Sequence, residues 1–156
     1  MELLTKDEWH NFNGKQQWDI QVALRGPDCY YGETIKWYTT GVIRGKVQEA
    51  MRVGGTVNQY LNLVIIPKDR IAVSEGKKKR DWNCHHFVEH VSLAAQHLKI
   101  PILWISGELW HEAMQIHSAY TAGMSIYEAV KDQPTKYPKE LVEELNIHLK
   151  MGRLHS

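Results

Sequence analysis

Cysteine is nearly missing from this chain. Cys29 and Cys84 are the only two among 156 residues. That is too few for the disulfide framework that staples small secreted domains, so a reducing, cytoplasmic setting is expected. Long apolar runs are missing as well. None approaches the ~20 residues that a membrane-spanning helix needs, and Glu2, Lys6, Asp7 and Glu8 interrupt the apolar stretch a signal peptide requires. Neither sign of charge dominates: 19 lysines and arginines stand against 18 aspartates and glutamates. This makes a general nucleic-acid binder unlikely as a class, because such surfaces carry a basic excess, and it argues equally against an acidic mimic of nucleic acid. The glycine-rich phosphate cradles of Walker A or G-x-G-x-x-G type are absent. So is a G-x-S-x-G nucleophile turn.

What is present is a composition 43% hydrophobic, enough to bury a core in a length that suits one domain. Residues 1–17 read as an irregular lead-in with one short helix, 18–122 as an α/β core, and 123–156 as a helical C-terminal segment. Residues 18–24 (WDIQVAL) alternate and are rich in strand formers, so they read as the first strand, closed by Gly26-Pro27-Asp28. A helix is expected over 33–52 with Ile35, Tyr38, Val42, Val47 and Ala50 inward, weakened by Gly41 and Gly45. Residues 60–66 (YLNLVII) read as a second strand, and 70–73 as either its hairpin partner or a loop. Asn83 suits the N-cap of a helix to Leu98, whose buried face is Phe87, Val91, Ala94, Ala95 and Leu98. The wholly apolar run at 100–105 reads as a buried parallel strand. Further helices are expected over 107–122, 125–130 and 138–151, the last with Leu141, Val142, Leu145 and Leu149 inward and Gly152 as its stop. Strands alternating with helices imply an α/β fold with a small, mostly parallel sheet of three or four strands. Such a sheet leaves edges, so a homo-oligomer is expected.

Chemistry-bearing residues gather in three places. His86, Glu89 and His90 form H-x-x-E-H, and residues four apart share a helix face, so His86 and His90 would grip one metal ion such as zinc with Glu89 as general base. Cys84, His97, Glu112 or His117 would complete the shell. The pattern resembles that of the inverted zinc metallopeptidases, in which it supplies two histidine ligands and a glutamate base. The resemblance spans five residues, and no family is inferred from it. An amphipathic helix with a wet histidine face accounts for the same residues without metal or cofactor.

The second place follows the first strand. Ligands of open α/β sheets bind beyond the carboxyl ends of the strands, which puts Arg25, Gly26, Asp28, Cys29, Glu33 and Lys36 at the working edge. Lys36, Thr40 and Arg44 repeat every four residues and form a polar stripe suited to a phosphate or carboxylate. The third is the turn at Ser106-Gly107, where a helix start offers amides and Trp110 an aromatic face. Ordinary turns, caps and a solvated helix face explain both places as well. Six tryptophans are many for this length, and Trp18, Trp37 and Trp104 read as core or inner-face residues.

The reading that joins most of these residues is a non-catalytic binder of a small anionic ligand, a nucleotide or nucleotide-like signal, with Arg25, Asp28, Lys36, Thr40, Arg44, Ser106 and Trp110 as contacts. A sequestering accessory protein fits it. The alternatives are a metal-dependent hydrolase centred on the H-x-x-E-H helix, and an interaction or inhibitor subunit that uses its aromatics and the cations Lys77, Lys78, Lys79 and Arg80.

Overall fold

In the computed structural model the described residues are 6–25, 33–51, 63–72, 82–132 and 136–155. The chain mixes helix and strand, with helix dominant. It opens with α1 (Lys6–Asn11), α2 (Gly14–Arg25) and α3 (Glu33–Met51). Residues 18–24, expected as a strand, therefore form the body of a helix. In a strand Trp18, Ile20, Val22 and Leu24 would share one face. Instead Ile20 and Ala23 are both fully buried beside Asp19, and Trp18 is 52% exposed, which is a helical period. The local cause is a capping box. Asn13 Oδ1 accepts from the Gln16 amide and Gln16 Oε1 accepts from the Asn13 amide, each at 2.9 Å, so orphan donors at the helix start are satisfied reciprocally.

The strands are short. β1 (Val64–Pro67) pairs in parallel with β4 (Ile102–Ile105), Val64 opposite Ile102 and Pro67 opposite Ile105. Every residue of β1 is buried, as expected of a parallel strand covered on both faces. β2 (Ile71–Ala72) pairs in parallel with β3 (Asn83–Cys84). It is not a hairpin partner of β1, and among the described residues the strands form two sheets of two rather than one of three or four. The turn that would make the hairpin is used otherwise: the Asp69 carboxylate reaches across to accept from the Gly107 amide at 2.7 Å.

α4 (His85–His97) follows β3 directly, so Asn83 lies in the strand and Cys84 holds the N-cap position without a side-chain cap bond. Its inward face is Phe87, Val91, Ala94, Ala95 and Leu98, all buried. It stops where Lys99 turns to a φ of 58° and the Ile100 amide returns to the Ala95 carbonyl at 2.8 Å. After β4 a single 3-10 turn, Gly107–Leu109, leads into α5 (Trp110–Thr121), then α6 (Ile126–Val130) and α7 (Lys139–His155). α7 runs through Gly152 rather than ending there, because a glycine costs a helix about 1 kcal/mol against alanine but does not forbid it. Leu141, Leu145 and Leu149 are its buried row.

One cluster of buried apolar side chains joins α2, α3, β1, α4, β4, α5 and α7. Tyr38 of α3 is tied into it, donating to the Leu63 carbonyl at 3.0 Å and lying 2.7 Å from His117 Nδ1. Among the described residues no helix is long and apolar enough to cross a membrane.

Candidate functional site

α3 turns Ile35, Tyr38 and Val42 to the core. The remaining face follows from the 3.6-residue period: Lys36, Trp37, Thr40, Gly41 and Arg44 lie together along its other side. Opposite them stand Leu24 and Arg25, in the last turn of α2. These residues line a cleft of about 430 Å³, within the range of small-molecule sites. Among the described residues, three of the lining side chains are cations and none is a carboxylate. Among the described residues neither Arg25 nor Arg44 has an ion-pair partner. The Arg25 guanidinium lies 5.7 Å from the ring centre of Trp18, two turns upstream, a cation–π contact that holds it at the rim. Trp37 is 78% exposed, an unusual position for so large an apolar surface. The Thr40 hydroxyl donates back to the Lys36 carbonyl at 2.7 Å and approaches that of Trp37 at 3.2 Å. Its one proton is thus spent on the helix, and toward a ligand it offers lone pairs.

Arg25, Lys36, Thr40 and Arg44 therefore converge, although the rule that selected Arg25 does not apply, since α2 has no strand edge. Trp18, Trp37 and Trp104 are exposed rather than core residues, because helical α2 and α3 direct them outward and Trp104 faces away from the buried side of β4. Asp28 lies outside the described residues, as do Cys29 and the cations at 77–80. Ser106 and Trp110 do not line the cleft. Ser106 makes no side-chain cap bond, and the amide that would receive an anion there, Gly107, is already bonded to Asp69. Arg70 packs so closely over Gly107 that a Cβ would collide with its guanidinium. Trp110 is 4% exposed and donates Nε1 to the Ile65 carbonyl at 3.3 Å. That end of the sheet is an internal junction whose anion position the chain fills itself.

The histidine helix carries a different arrangement. His86 and Glu89 are exposed. Further along α4, His97 Nε2 donates to Asp19 Oδ2 at 3.1 Å, while Lys15 Nζ lies 3.4 Å from Asp19 Oδ1. His90 Nδ1 comes within 3.5 Å of Asp19 Oδ1 without hydrogen-bond geometry. The Asp19 side chain is 2% exposed. Burial pushes its pKa up, but the His97 hydrogen bond and the Lys15 ammonium outweigh that and hold it below the usual 3.8. His85 bonds through Nδ1 to the Ala72 carbonyl at 3.1 Å and stacks on His86. His117 is enclosed in the core at Tyr38, and burial lowers its pKa to about 4. Among the described residues no group of three or more His, Cys, Asp or Glu side chains is arranged to hold a metal ion. The expected shell is dispersed: His90 and His97 turn to Asp19, and His117 to the core.

Sequence reasoning missed Asp19, hidden in the misread strand, and Gly41 and Trp37 as cleft residues. The Asn13-x-x-Gln16 pattern was the signal for α2 and so for Asp19. Comparison of the chain with protein-family models, with curated proteins and with solved structures finds no match.

Proposed function

We propose that this chain is a non-catalytic binding protein that holds a small anionic ligand, a nucleotide or nucleotide-like signal, in the cleft between α2 and α3. The observation that carries the reading is the convergence of Arg25, Lys36 and Arg44 on one cleft whose lining, among the described residues, includes no carboxylate. Arg25 and Arg44, which have no ion-pair partner among the described residues, repel one another until an anion joins them, and guanidinium groups suit phosphate through paired donors. The exposed indole of Trp37 supplies a stacking surface for a base. Among the described residues the lining consists of groups that hold and stack; it includes no imidazole, thiol or carboxylate that would serve as a general base. Retention of an unaltered ligand, as in sequestration, follows from such a lining. Each sheet has two strands among the described residues, so self-association that covers their edges is part of the same proposal.

Titration calorimetry with ATP, ADP, AMP and inorganic phosphate tests it. At least one of the nucleotides should bind, and Arg25→Ala and Arg44→Ala should each weaken it by roughly tenfold or more, the worth of a charge-assisted hydrogen bond. The bound nucleotide should be recovered chemically intact. Absence of binding across the panel, or unchanged affinity in both variants, would remove the cleft from consideration.

A further inference from the structure

Gly41 sits in the middle of α3 with no conformational or packing duty toward the described residues. It is ordinary helix: the only glycine with positive φ among the described residues is Gly123. A Cβ built at position 41 meets nothing within 4 Å among the described residues, so none of the described elements needs its small size. Glycine is the poorest helix former after proline, and alanine would serve the fold better. Nothing among the described residues accounts for it, whereas a ligand entering the cleft does. Gly41 lines the cleft. Its neighbours on that face, one turn away in each direction, are Trp37 and Arg44. The result is a missing side chain between an indole and a guanidinium, two flat π surfaces, with bare backbone as the floor.

We infer that the gap at Gly41, between Trp37 and Arg44, seats the planar ring of the ligand, with the cations of the cleft left to hold its anionic groups. The inference rests on the cleft being the binding site, as proposed above. It deepens that reading by naming the ligand class: an aromatic heterocycle joined to phosphate, rather than phosphate alone. Close approach to backbone is one of the few uses that repay a glycine inside a helix. Helical side chains lean toward the N-terminus, so Arg44 leans over the bare turn at Gly41, with Trp37 on the same face one turn further toward the N-terminus. A ring there stacks on the indole and takes the guanidinium on its face. A second copy of α3 is the rival occupant, since Gly41 and Gly45 are four apart. Pairing would bring Arg44 of one copy toward the cations of the other, and like charges in contact oppose it.

The test compares Gly41→Ala with the unaltered chain, using ATP and inorganic tripolyphosphate as probes and thermal unfolding as a separate readout. The variant should melt about 2–4 °C higher, because alanine favours the helix. It should bind ATP roughly tenfold more weakly and tripolyphosphate within about twofold of the unaltered chain. Unchanged ATP affinity in the variant, equal losses for both probes, or a lower melting temperature would each overturn the inference and leave the cleft reading standing. Equal affinity of the unaltered chain for both probes would overturn it too, since the ring would then add nothing. A change in oligomer mass with ATP affinity unchanged would assign the gap to a second copy. Binding of neither probe to the unaltered chain would refute the cleft reading and this inference with it.

Discussion

Acidification should destabilise this protein through His117. The side chain has no solvent exposure, and burial lowers its pKa from 6.5 to about 4. In the unfolded chain the imidazole takes up a proton near 6.5, whereas in the folded chain it resists until about 4. Between those values the unfolded state binds more protons, so stability is complete above 6.5 and is lost as the pH falls toward about 4. The full effect is roughly 3 kcal/mol, and about 2 kcal/mol of it is spent by pH ~5. Domains of this size have only about 5–15 kcal/mol to lose. Asp19 is held below 3.8, so it adds slope only toward the acid end of this window and almost none above about pH 5. His117→Gln keeps an amide for the Tyr38 hydroxyl, 2.7 Å from His117 Nδ1, and removes the titration. Urea unfolding followed by tryptophan fluorescence at about pH 7 and about pH 5 should show the unaltered chain losing about 2 kcal/mol more than the variant between them. The remaining histidines are common to both proteins and cancel in that difference. Equal losses in the two proteins would refute the assignment of acid sensitivity to His117.

Two further perturbations test the helices that frame the cleft. Asp19→Asn removes the buried charge that His97 and Lys15 meet, and should cost about 1.5–3 kcal/mol at neutral pH, read as a lowered urea midpoint. A cost that stays the same below the pKa of Asp19 would show that its charge is not the cause, because protonation, as the pH falls below the depressed value, abolishes the same interaction in the unaltered chain. Asn13→Ala breaks the reciprocal cap of α2 and should cost about 1 kcal/mol. An unchanged melting temperature there would mean that packing against α4, rather than the cap, holds the start of α2.

Several elements were legible without coordinates. α4, β4 and the row Leu141, Leu145 and Leu149 announce themselves because their apolar spacing fits one period and no other. α2 was not legible from its apolar residues, since WDIQVAL satisfies a period of two as well as a helix. Only the Asn13 and Gln16 pair breaks the tie, and it lies outside the segment. Trp18 and Trp37 were misplaced for a related reason: large apolar side chains are usually core, and nothing local says that a helix has turned them outward. The histidine motif is a true neighbourhood on α4, yet its spacing carries no information about Asp19, which reaches it from another helix.

What the sequence determined by itself is the stripe Lys36, Thr40 and Arg44, because four-residue spacing on a helix is local geometry and needs no partner. Tertiary structure alone decided what that stripe became. It brought the last turn of α2, with Arg25, against it, and set no described atom within 4 Å of where a Cβ at Gly41 would stand. It spent the rival anion position at Gly107 on Asp69. The physical reason is the same in each case: backbone period is set by neighbours in the chain, whereas the meeting of faces is set by which apolar surfaces bury one another across long sequence separations.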